Sequence, residues 1–120
     1  MKTAVVIEDD DIVRGYFAAI LERLGLKVLT ADDGSTGIDV VKENPGVELI
    51  VLDLKMKKMG GKETYPYLKK ISPQAKVIIS SAYVGDEEAK ELLEAGVDAI
   101  LKKPFPMLSF KNTVIDLLQL

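Results

Sequence analysis

Residues 49–54 read Leu-Ile-Val-Leu-Asp-Leu (LIVLDL), a single carboxylate, Asp53, set inside an otherwise apolar run. Near-continuous β-branched and leucine content is how a strand buried on both faces of a parallel sheet reads. An unpaired charge at the end of such a strand is costly, so the stretch raises the question of what holds Asp53 there. Working outward, ELIVLD (48–53) is one of five such runs, with TAVVIE (3–8), KVLTA (27–31), KVIISS (76–81) and DAILK (98–102).

Helical patterns lie between them. In residues 11–24, Ile12, Val13, Tyr16, Phe17, Ile20, Leu21 and Leu24 keep to one helical face, and Gly25 follows as a stop. Gly96 plays the same part after GDEEAKELLEA (85–95), whose acids gather at the N-terminal end, as the helix dipole favours. Weaker patterns fit 35–44, closed by Asn44-Pro45-Gly46, and 62–71, closed by Ser72-Pro73. A last one fits 107–119, with Leu108, Val114, Ile115 and Leu118 turned to the core. Five strands alternating with five helices predict an α/β fold, a doubly wound parallel sheet joined by right-handed crossovers.

A chain of 120 residues fits one domain, 1–120, and buries a core without staples. The chain has neither Cys nor His, which excludes disulfides, thiolate metal sites, Ser/His or Cys/His nucleophile pairs and a phosphohistidine within the chain. A net charge of -3 with scattered Lys and Arg gives no footprint for nucleic acid. The opening MKTAVVIEDDD runs straight into acids, unlike a signal peptide, and no apolar stretch approaches membrane-spanning length. A cytoplasmic location is the expectation. The final helical pattern reaches Leu120 with no polar tail, which fits a short natural protein and a domain cut from a longer chain equally well.

In open α/β sheets, reactive groups gather beyond the carboxyl ends of the strands. Glu8, Asp9 and Asp10 end the first strand, Asp53 the third, Ser80 and Ser81 the fourth, and Lys102, Lys103 and Pro104 the fifth. If the first and third strands are neighbours, about 4.8 Å apart, their carboxylates crowd, and two charges near 4 Å repel by roughly 4 kcal/mol at an effective dielectric of 20. A hard divalent cation relieves that. All-oxygen ligands at an exposed mouth suit Mg²⁺, with Mn²⁺ as a substitute. Lys103 offers a point charge and Ser81 a hydroxyl donor for an incoming phosphoryl group. Taken singly each has a structural reading: the acids at 8–11 cap the first helix, Asp53 turns to water, Ser81 packs, Lys103 snorkels and Pro104 stops the strand. It is the conjunction at four strand ends that points to aspartyl phosphorylation.

With these residues in place, the sequence resembles the receiver domain of two-component response regulators along nearly its whole length. The matching motifs are VVIEDDDIVR, LIVLDLKMKKMGG, VIISSA and ILKKPF, with 28 positions from Asp53 to Ser81 and 22 from Ser81 to Lys103. The resemblance implies a five-stranded, flavodoxin-like (βα)5 sheet in the order 2-1-3-4-5. It makes Asp53 the phosphoacceptor, Asp9 a direct Mg²⁺ ligand, Glu8 a ligand mainly through water, and the Lys55 backbone carbonyl a further ligand. Ser81 takes the place of the switch hydroxyl, Ala82 its small neighbour, and Lys103 the lysine that contacts the acyl phosphate. The implied donor is a phosphohistidine on a sensor histidine kinase or a histidine phosphotransfer protein, and the chain would be no enzyme beyond assisting its own phosphorylation and dephosphorylation.

The sequence departs from that family at three places. Lys57, in the run KMKKMGGK, stands where a proline is usual, which predicts a more mobile loop. Ile100 stands where many members carry a Tyr or Phe that swings inward, which predicts a weak or different output switch. The stretch GGKETYPYLKKISPQAKVIISSAY is similar to receivers fused to sensory histidine kinases. Lys55 and Tyr83, each two residues beyond a site residue, predict a long-lived phosphoryl group. A Mg²⁺-dependent aspartyl-nucleophile phosphatase is the rival class, and Lys55 occupies the position where it needs a second acid. Flavin binding is weaker still, because an acidic mouth repels a cofactor phosphate. Kinase, downstream target, stimulus and oligomeric state are not readable from these residues.

Overall fold

The computed structural model describes all 120 residues. Strand β1 (Thr3–Ile7) leads into helix α1 (Asp11–Arg23), β2 (Lys27–Ala31) into α2 (Gly34–Glu43) and β3 (Leu49–Asp53) into α3 (Gly61–Ile71). Then β4 (Lys76–Ser81) leads into α4 (Asp86–Glu94), and β5 (Ala99–Lys102) into α5 (Met107–Leu118). All strand pairs are parallel, in the order β2-β1-β3-β4-β5, the flavodoxin-like order that the sequence resemblance implied.

Side-chain alternation splits the interior into two cores. Val5 and Ile7 of β1, Ile50 and Leu52 of β3, and Val77 and Ile79 of β4 pack under α2, α3 and α4 with Val41, Tyr65, Leu68 and Leu92. Ala4 and Val6, Leu49 and Val51, and Ile78 face the other way, against Phe17, Ile20 and Leu21 of α1 and Phe110, Val114 and Leu118 of α5. Both faces of β1, β3 and β4 are therefore buried, whereas the edge strands β2 and β5 are largely half-buried. Reading every run as buried on both faces overstated these two, because an edge strand is flanked and covered on fewer sides.

Helix rotation is the other correction. The buried stripe of α1 is Phe17, Ile20 and Leu21, with Val13 and Leu24 partly covered, and Ile12 and Tyr16 sit one helical step off it, 85% and 42% exposed. In α5 the stripe runs through Phe110, Val114 and Leu118, and Leu108, expected in the core, is 63% exposed. Phe17 holds the two helices together, its ring centroid 4.8 Å from Phe110 and 5.8 Å from Phe105. Gly25 and Gly96 end α1 and α4 with φ of 89° and 110°, a left-handed turn that only glycine makes without cost.

Candidate functional site

Strand alternation also decides which side chains meet at the carboxyl rim. Ala4 and Val6 face the α1/α5 core, so Glu8 continues their face. Leu49 and Val51 set the same phase for Asp53, and Ala99 and Leu101 for Lys103. Three charged residues from three strands are thereby brought to one side of one edge. Lys103 spans β4 to place its Nζ 2.6 Å from Glu8 Oε1 and 3.5 Å from Asp53 Oδ1. Glu8 is only 1% exposed and Asp53 5%, so neither is solvated enough to stand alone.

The loop after β1 completes the cluster. Asp9 is half-buried, and one ligand oxygen from each of Glu8, Asp9 and Asp53 lies within 4.8 Å of the others. Asp10 turns away to cap α1, accepting the amides of Ile12 and Val13 at 2.9 and 3.0 Å. The helix-capping reading of the acidic run therefore falls to Asp10, while Glu8 and Asp9 stay with the carboxylate cluster. Glu8 Oε2 accepts the Asp10 amide, and its backbone carbonyl accepts the Arg14 guanidinium at 2.8 Å. Arg14, absent from the sequence-based site, pins this junction and pairs with Asp11.

Three carboxylates face one ammonium. Burial first, then the neighbouring Glu8 carboxylate, push the Asp53 carboxyl up to about 7 against the pull of Lys103. Burial works against the Lys103 charge too, but its hydrogen bond to Glu8 and the fields of Asp53 and Glu8 outweigh that and raise its pKa. The ammonium stays charged while the carboxylates compete for it. Hard oxygen donors with surplus negative charge at a cluster of this size fit a divalent cation, and the cluster could hold one.

The remaining predicted residues are distributed around this centre. Ser81 is fully buried, and its hydroxyl donates to the Tyr83 carbonyl at 3.0 Å, so the expected free donor is already engaged. Ala82 is exposed, as is Tyr83 at 73%. Lys102 points to solvent while Lys103 reaches inward. Pro104, exposed, follows Lys103 through a cis peptide. Lys55 is exposed just past β3, and its carbonyl accepts no backbone hydrogen bond. Ile100 lies away from the cluster, half-buried against the α2/α3/α4 core.

What the sequence did not disclose is how the β3–α3 loop is fastened. A Cβ on Gly61 would sit 2.5 Å from the Asp53 carbonyl, and one on Gly34 would collide with the Thr64 hydroxyl and the Met59 carbonyl. Thr64 Oγ1 bonds the Gly60 and Met59 carbonyls at 2.8 and 3.1 Å, beside Met59 in left-handed backbone with a φ of 46°. The Gly60-Gly61 pair was the one available signal.

Comparison with known proteins agrees with this fold. A receiver domain protein from Methanospirillum hungatei, described as CheY-like, superposes with a TM-score of 0.91 at 27% identity, covering 99% of this chain and 94% of the other. Another receiver domain protein, from Clostridium thermocellum, gives a TM-score of 0.91 at 25% identity over 99% and 95%. Among curated sequences, a cyclic di-GMP phosphodiesterase of Thermotoga maritima is 32% identical over 85% of this chain and 27% of its own length. Sensor kinase CckA of Brucella abortus is 30% identical over 98% of the chain and 12% of the kinase, so the chain spans only a small part of these relatives. No helix is long and apolar enough to cross a membrane. Residues 4–115 match the response regulator receiver domain family, and the chain belongs to it.

Proposed function

We propose that this domain takes a phosphoryl group from a partner's phosphohistidine onto Asp53 and passes the signal on through its helical faces. The observation that carries the reading is the convergence of Asp53, Glu8, Asp9 and Lys103 at one rim. An Asp53 oxygen attacks phosphorus, an O–P bond forms as the N–P bond breaks, and the imidazole, already protonated on its other nitrogen, leaves with the electron pair as a neutral ring. Lys103 already contacts the Asp53 carboxylate, so its ammonium faces the charge that arrives with the phosphoryl oxygens. Glu8, Asp9, Asp53 and the Lys55 carbonyl would hold Mg²⁺, or Mn²⁺ in its place, which would supply the positive charge that keeps Asp53 ionised near neutral pH.

Around the centre, the Ser81 hydroxyl would exchange its Tyr83 carbonyl for a phosphoryl oxygen. With half-buried Ile100 in place of an aromatic, the accompanying movement of α4 and α5 is small. Exposed Lys55 and Tyr83 flank the mouth and shield the acyl phosphate from water. An unchanged dephosphorylation rate after Lys55→Asn with Tyr83→Glu contradicts the shielding. A groove beside the site is lined by Val13, Tyr16, Phe17, Lys103, Pro104 and Phe105. Lys103 belongs to both groove and site, which supports this α1/α5 face as the seat of the histidine-bearing partner. The reading carries a cytoplasmic location, the compartment of an ATP-fed kinase.

Phosphoryl transfer tests it: with Mg²⁺ and a labelled phosphohistidine donor, label passes to the wild type and not to Asp53→Asn. Label on the Asn variant, or none on either, contradicts the proposal. A free-standing domain of residues 1–120 and the receiver segment of a hybrid sensory histidine kinase both fit. The phosphatase reading has against it the exposed Lys55 where a second acid would stand, and Asp53-dependent turnover of a phosphomonoester would favour it.

A further inference from the structure

The loop after β3 touches the carboxylate cluster from outside. The Lys57 backbone N–H donates to Asp9 Oδ2 at 3.3 Å, joining residues 48 positions apart. On the same side, Asp9, Asp32, Asp33, Lys57 and Lys58 line one cleft with no apolar member, so basic loop residues lie against the acidic ends of β1 and β2. The Thr64 hydroxyl and the close packing of Gly61 on the Asp53 carbonyl fix the far end of that loop. A segment held at one end by α3 and at the other by Asp9 is placed more firmly than its run of lysines alone suggests.

We infer that the Lys57 amide is a positioning group for the metal site. It holds Asp9 Oδ2, fixes that carboxylate beside Glu8 and Asp53, and offsets part of the repulsion among the three carboxylates. The bond belongs to the backbone, so residue 57 serves through its N–H and not its ammonium. A carboxylate ligand oriented by a second hydrogen bond pays less to meet the cation, and losing such a bond commonly costs about 10–100-fold in metal affinity. The sequence signal is the residue type itself: any residue but proline at 57 brings this donor.

The inference rests on metal binding at this cluster, and the experiment separates the two. Mg²⁺ affinity is measured by amide NMR titration of the wild type, Lys57→Ala, Lys57→Pro and a semisynthetic protein with an ester in place of the amide at residue 57. The expected result is affinity within about twofold of wild type for Lys57→Ala, whose lost charge is solvent-screened, and about tenfold weaker binding for the proline and ester proteins. In the metal-free wild type the Lys57 amide also exchanges with solvent more slowly than in Asp9→Ala. Failure of the wild type to bind Mg²⁺ overturns the metal reading itself. Equal binding by all four proteins, or a loss in Lys57→Ala as large as in the ester, overturns the inference about the amide while leaving that reading intact.

Discussion

A lysine–glutamate pair joins strands at each end of this sheet, and the two differ in nearly every physical respect. At the amino rim Lys2 meets Glu48 at 3.3 Å across β1 and β3, with side chains 41% and 40% exposed. At the carboxyl rim Lys103 meets Glu8 at 2.6 Å, its partner almost fully buried and a second buried carboxylate, Asp53, beside it. An exposed pair trades water for a partner and gains little. A buried, charge-unbalanced one costs folding free energy that the rest of the core must offset. The same residue types therefore stabilise weakly where solvent reaches them, and leave a surplus of negative charge that a cation would offset where it does not.

That contrast can be broken from either end. The largest effect belongs to Lys103→Met, which strands two buried carboxylates and is expected to cost about 3 kcal/mol near pH 8 by urea unfolding. Protonation of Asp53 shrinks the loss as pH falls.

Next comes Asp53→Asn. The folded pKa of Asp53 lies above its unfolded value of 3.8, so its contribution is intact below that value and is lost as pH rises through about 7. The Asn variant should accordingly match wild type near pH 3.5 and exceed it by roughly 2 kcal/mol near pH 8, less whatever its weaker contact with Lys103 returns. Unfolding curves at several pH values read this directly, and a wild type that is the more stable partner above pH 7 speaks against the buried-charge account.

Saturation with Mg²⁺ sharpens the comparison further. At about ten times the dissociation constant it should add about 1.4 kcal/mol to wild type in thermal unfolding. Lys2→Met should show the same gain and Asp9→Asn almost none. The smallest effect is that of Lys2→Met itself, within about 0.5 kcal/mol and fading in high salt. A cost there equal to that of Lys103→Met removes the distinction between the rims.

Much of the carboxyl rim was legible because period-two alternation is a local rule. Once Leu49 and Val51 are placed against α1 and α5, Asp53 must follow them, and Glu8 and Lys103 follow on their own strands. Other features depend on how elements settle against each other. The rotation of α1 that exposes Ile12 is set by Phe17 meeting Phe105 and Phe110. The engaged hydroxyl of Ser81 and the Lys57 amide on Asp9 depend on loop backbone that no periodicity encodes. Lys57 was read as a departure that loosens its loop, and its N–H is instead what ties that loop to the cluster.

Beryllofluoride tests the central claim most directly, because with Mg²⁺ it occupies a carboxylate as a phosphoryl group would. The account predicts amide shifts centred on Asp53, Ser81 and Lys103 that require both Mg²⁺ and beryllofluoride and vanish in Asp53→Asn. Unchanged spectra of the wild type at saturating concentrations of both, or the same shifts in the Asn variant, would contradict it.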